Sequence, residues 1–141
     1  MFTVRASTIL SVIALMVTSG LTQGITNLVC FGDGLVGDCS PFINSFCTAP
    51  SIDSIPIFPQ SRLAACFEDP AGFRCDFTAF RAQDTTGVLA LDSTNCTNAL
   101  LAAAEECAMG GTARVTGDDF FFTLDPNDGT CGDSTDPASL E

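Results

Sequence analysis

Two sets of residues in this chain could do chemistry. One is the eight cysteines Cys30, Cys39, Cys47, Cys66, Cys75, Cys96, Cys107 and Cys131; the other is the oxygen-bearing side chains of Asp118-Asp119 and of Asp125, Asn127 and Asp128. The cysteines contain no C-x-x-C pair, so thiolate zinc ligation lacks its usual spacing. An even count in a short chain favours four disulfides, and sequence alone does not choose among their pairings. Calcium loops need D-x-[DN]-x-[DN]-G, a pattern missed here because Gly129 falls one position early. Asp125-Pro126-Asn127-Asp128-Gly129 therefore reads as a turn whose side chains bond their own backbone. Two-carboxylate glycoside hydrolysis is open to an acidic protein. However, the chain is small for an enclosed cleft, and no carboxylate sits in an obviously apolar setting. The expectation is no catalysis, no metal and no cofactor.

Composition narrows the field further. The 141 residues carry 17 acidic side chains against five arginines, a formal charge of −12, with no lysine, histidine, tryptophan or tyrosine. Without histidine there is no Ser-His-Asp or Cys-His nucleophile and no group titrating near neutrality. The negative charge repels phosphate backbones and anionic membranes, so neither nucleic acid nor membrane is an expected partner.

The elements that must position these residues can be read in order. Arg5 followed by the apolar run Ile9–Val17 and small residues up to Gly24 has the form of a secretory signal peptide over 1–24. One domain is expected over 25–131, with a polar tail over 132–141. Asp38 and Pro41 ahead of Phe42, Ile43 and Phe46 predict a short helix over 38–47. Pro50, Pro56 and Pro59 make the next stretch a loop. Segments 61–68 and 72–82 flank Asp69-Pro70-Ala71-Gly72 and predict a hairpin, with Phe73, Cys75, Phe77 and Ala79 on the buried side.

Val88–Leu91 reads as a strand, with Asp92-Ser93 capping the helix that follows. Over 94–109, Cys96, Leu100, Ala103 and Cys107 form one inward stripe, and Gly110-Gly111 reads as a C-cap pair. Those two cysteines are roughly 16 Å apart along the helix, too far to bond each other, so each staples one end to the rest of the domain. Segments 112–116 and 119–124 form a closing hairpin, with Gly117-Asp118 suited to a type II′ turn. Its alternation points Phe120 and Phe122 one way and Phe121 the other, and Phe80 likewise lies opposite the buried set. The predicted class is α+β, an antiparallel sheet packed with helices as an αβ sandwich and stapled by disulfides. Asn95-Cys96-Thr97 offers Asn95 for glycosylation, which a disulfide-bonded middle cysteine would hinder.

Several blocks resemble those of a family of small secreted cysteine-rich fungal domains founded on a mushroom glycan-binding protein. They are Cys30-Phe31-Gly32-Asp33-Gly34, Arg62 with Cys66, Cys75-Asp76-Phe77, the Cys96–Cys107 helix ending in Gly110-Gly111, and Phe122-Thr123-Leu124-Asp125-Pro126-Asn127-Asp128-Gly129-Thr130-Cys131. The resemblance implies a secreted, extracellular, lectin-like protein that binds cell-surface or extracellular glycans without catalysis. Sugar recognition needs an aromatic face beside carboxylate and amide groups. The expected contacts are Asp119, Phe121, Asp125 and Asn127, near the closing hairpin. The alternative is an effector or surface protein that binds a protein partner, favoured by the missing tryptophan and tyrosine; a homodimer is also open.

Overall fold

The computed structural model describes residues 24–49, 56–82 and 86–132. Apart from Gly24 and Gly132, the expected leader and tail lie outside these residues. The elements are β1 (Ile25–Cys30), α1 (Ser40–Cys47), β2 (Arg62–Glu68), β3 (Phe73–Arg81), α2 (Ser93–Glu106), β4 (Gly111–Val115) and β5 (Phe120–Asp128). The strands make one five-stranded antiparallel sheet in the order β1-β4-β5-β3-β2. Five strands, two helices and four disulfides give the α+β class its concrete form.

Alternation decides which face the helices cover. Cys75, Phe77 and Ala79 of β3 and Phe120, Phe122 and Leu124 of β5 are buried in one core with Ile43 and Phe46 of α1 and Ala99, Leu100 and Ala103 of α2. Phe46 stacks on Phe77 and Phe42 stacks on Phe67, seating α1 against β2 and β3. The pairings are Cys39–Cys75, Cys47–Cys96, Cys30–Cys107 and Cys66–Cys131. As the helical stripe requires, Cys96 and Cys107 reach different partners, tying α2 to α1 at one end and to β1 at the other.

The local sequence explains most helix boundaries. Asp38 Oδ1 accepts the Ser40 N–H at 3.0 Å, which lowers the Asp38 pKa, while Cys39 is the cap residue itself. Asp92 Oδ1 caps α2 by accepting the Asn95 N–H at 2.8 Å. That helix ends at Glu106, earlier than its apolar pattern suggested, because the disulfide-bonded Cys107 turns into extended backbone. The glycine pair therefore does not cap it. Gly110 has φ +84°, and a Cβ there would lie 2.5 Å from the Leu124 carbonyl oxygen. At Gly111 a Cβ would lie 2.7 Å from the Val29 oxygen. Both glycines permit backbone approach within the sheet.

Other expectations are corrected. Val88–Leu91 is not a strand: it makes an isolated bridge, Leu89 to Ile57, and among the described residues no neighbouring strand extends the ladder. β1 is an unanticipated edge strand, mostly exposed and irregular between Thr26 and Val29, so it has no apolar alternation to read. The closing turn is type II in form, with the Asp118 N–H donating to the Val115 oxygen at 3.0 Å and Gly117 third at φ +84°. Finally, Asp125–Asp128 are not a turn but the end of β5, paired with Asp76 through Phe73 of β3. Proline is tolerated at 126 because β4 pairs with β5 only as far as Leu124, so the missing N–H breaks no ladder bond on that side.

Two buried polar groups set testable limits on stability. Arg81 is completely buried, and its guanidinium donates to the carbonyls of Ile57 (2.6 Å), Gly87 (2.7 Å) and Thr86 (3.3 Å). It binds the loop before β2 and the loop after β3 to the sheet. Replacing Arg81 with Met leaves those carbonyls without their donor and is expected to lower the unfolding free energy by about 3 kcal/mol in urea titration. An unchanged midpoint would show that the loops hold themselves.

Asp118 lies in the β4–β5 turn beside the N-terminus of α2. Burial raises its pKa, with the Asp92 carboxylate adding to the rise, although the bond from the Phe120 N–H and the nearby Asn95 side chain oppose it. A folded pKa above the unfolded one means the native state holds the proton more tightly. This group's contribution thus grows as pH falls from neutral through the folded value toward 3.8, and is lost as pH rises. Asp118→Asn should raise the melting temperature at pH 7, have little effect near pH 4, and flatten the pH profile between them. An offset constant across that range would remove Asp118 as the cause.

Candidate glycan-binding face

The helices occupy one face of the sheet; the other carries the residues of opposite parity. On β5 these are Phe121, Thr123, Asp125 and Asn127, all half-buried. On β3, Phe80, Thr78, Asp76 and Arg74 stand directly opposite them. β4 contributes Thr112 beside Thr123, their hydroxyls 3.1 Å apart, and Arg114, whose guanidinium carbon lies 4.9 Å from the Phe121 ring centroid. The sheet's pleat thus arranges three chemistries in rows: aromatic rings with guanidinium, then hydroxyls, then carboxylates with an amide.

The carboxylate end is a hydrogen-bonded network. Asp76 Oδ2 accepts from Arg74 Nε and from Asn127 Nδ2, each at 3.0 Å. Asp76 Oδ1 is buried without a hydrogen-bond partner among the described residues. Burial raises the Asp125 pKa, and nearby Asp76 adds to the rise, while bonding from Asn127 and the charge of Arg74 oppose it. The expectation that no carboxylate occupies a desolvating setting is therefore wrong for both Asp118 and Asp125, which only the folded packing encloses.

Asp125 and Asn127 line an open pocket of about 320 Å³ with Phe31, Gly32, Asp33 and Gly34. Gly34, at φ +136°, gives this wall a backbone conformation suited to glycine. The opening Cys-Phe-Gly-Asp-Gly block and the closing Asp-Pro-Asn-Asp block, distant in sequence, thus meet in one concavity. Arg74 Nη1 donates to the Thr130 oxygen at 3.2 Å, Cys131 N–H donates to Glu68 Oε1 at 3.1 Å, and Cys66–Cys131 closes the β2 side below it.

Three of the four expected contacts, Phe121, Asp125 and Asn127, share this face. Asp119 directly precedes β5, two residues from Phe121 and six from Asp125, so it is roughly 20 Å along an extended chain from the pocket end but next to the aromatic end. Its backbone oxygen accepts the Ala82 N–H at 2.9 Å. Phe31 and Asp33 were not anticipated as lining residues, although they belong to a block whose pattern had already stood out. Asn95 sits in the first turn of α2, half-buried, with its side chain close to the Asp118 carboxylate. Among the described residues no three cysteine or carboxylate groups converge as a metal site.

Antiviral protein CAP of Coprinus comatus is 33% identical over 99 residues, an overlap spanning 68% of this chain and 93% of that protein. Residues 38–131 match the family described as glycan binding domain Y3, and the chain belongs to that family.

Proposed function

We propose that this is a secreted, non-catalytic lectin-like protein that binds extracellular or cell-surface glycans through the open sheet face. The observation that carries the reading is the pocket in which Asp125 and Asn127 face the Phe31–Gly34 wall. A carboxylate and an amide beside an aromatic residue offer the mixed polar and apolar contacts that a sugar ring needs. Asp125 and Asn127 contact hydroxyls, Phe121 packs against sugar C–H groups, and the distance to Asp119 leaves that residue outside the pocket.

Secretion is supported by the pairing of all eight cysteines, which an oxidising compartment permits. The absence of catalysis is supported by how Asp76 is held. It stands beside Asp125 on the next strand, mostly buried and bonded to Arg74 and Asn127, instead of facing Asp125 across a gap where a glycosidic bond could sit.

A protein partner is the second reading. Phe58 (60% exposed), Val88 (48%) and Leu89 (40%) surround the Ile57–Leu89 bridge and give it a specific apolar surface. Binding of the oxidised protein to an array of immobilised glycans separates the two. Selective glycan binding is expected, with Asp125→Ala weakening it about tenfold or more while the four disulfides remain intact. No binding across the array by fully oxidised protein would overturn the glycan reading and leave the protein partner.

A further inference from the structure

We propose that the open face reads a linear oligosaccharide: one sugar occupies the Asp125 pocket, and the chain runs over the Thr123 hydroxyl to a second subsite at Phe121. This inference rests on the glycan-binding reading and extends it from a pocket to an oriented strip.

The direction of the strip follows from what closes the pocket. On the β2 side, the Cys66–Cys131 bond and the Thr130 carbonyl held by Arg74 fill the lower corner of the face. The way left along the sheet is up β5, from Asp125 past Thr123 to Phe121. Those positions share one side of the strand, and the outer two lie four residues apart, roughly 13 Å. A single pyranose ring cannot bridge that distance; a linear oligosaccharide can.

The chemistry along the path also changes in a useful order. Asp125 and Asn127 face hydroxyl groups at the pocket end. Thr123 and Thr112, already paired at 3.1 Å, provide hydroxyls midway. Phe121 then lies across from Phe80, with Arg114 stacked on one face of its ring. That stacking fixes the ring, whose half-exposed surface is offered for C–H contacts, while Arg114 Nε donates to the Asp118 carbonyl and leaves the two terminal nitrogens of the guanidinium as donors for sugar oxygens. The pocket end is rich in acceptors and the aromatic end supplies donors, so a ligand with hydroxyls along its length is complementary to both.

The test starts from the strongest array ligand, trimmed one sugar at a time from either end and titrated calorimetrically against oxidised protein. The trisaccharide or longer form should bind about tenfold more tightly than the terminal monosaccharide. Phe121→Ala should cancel that gain, so that the longer forms bind no more tightly than the monosaccharide, whereas Asp125→Ala should weaken every length. Thr123→Val, nearly isosteric and suited to a strand, should reduce the gain without disturbing the fold. Length-independent affinity, or a length effect untouched by Phe121→Ala and Thr123→Val, would overturn the strip and leave the pocket. Failure of every array glycan to bind would remove the pocket and the strip together.

Discussion

The structure depends on α2 being held at both ends. Cys47–Cys96 ties its first turn to α1, and Cys30–Cys107 ties its exit to β1, closing sequence separations of 49 and 77 residues. In the chain-entropy account, each such bond removes on the order of 2–4 kcal/mol of freedom from the unfolded chain. That matters for a small domain whose fully buried helical side chains include several alanines and cysteines, which contribute little apolar area. With α2 fixed and α1 bonded to β3 through Cys39–Cys75, both helices are committed to one side of the sheet. The other side keeps its threonines, Asp125, Arg114 and two phenylalanines half-buried, with Arg74 buried among them. The open face is thus the geometric complement of the disulfide-held core.

Much of this was legible because period-two and helical repeats are strong local signals. The β2–β3 hairpin, the stripe on α2 and the opposed directions of Phe121 and Phe120 follow from side-chain spacing alone. The misreadings arose where tertiary context overrode local chemistry. Asp-Pro-Asn-Asp has turn composition, but β3 pairs with it through Phe73–Asp76, and the end of β4 leaves the Pro126 nitrogen without a ladder bond to make. β1 carries no core-facing alternation because it lies at an edge, where its pairing partner alone gives it strand form. Val88–Leu91 had the composition of a strand without a partner beyond the single bridge.

The site was legible in a similar, partial way. Alternation placed Phe121, Asp125 and Asn127 on one face, but only if β5 runs straight through Pro126; read as a turn, the same residues would scatter. Asp119 was grouped with them by proximity in sequence, which an extended strand converts into distance from Asp125 but not from Phe121. Phe31 and Asp33 reach the pocket because β1 pairs with β4, and the Phe31 N–H continues that pairing by donating to the Gly110 oxygen at 3.0 Å. No local rule foretells that contact.

Charge placement completes the argument. In a chain carrying −12, Arg62, Arg74 and Arg114 all stand on the open-face parity of β2, β3 and β4, whereas Arg81 serves the core. Arg74 neutralises part of the Asp76–Asp125 cluster, allowing two carboxylates to share adjacent strands under partial burial. Arg114 instead stacks on Phe121, so the same residue type orders the acidic end and the aromatic end by different means. An acidic protein that places three of its four described arginines on this parity retains a polar, mixed-sign surface there. Neutral polyols can engage such a surface through hydrogen bonds at either end, while the surrounding negative charge discourages anionic polymers from settling across it.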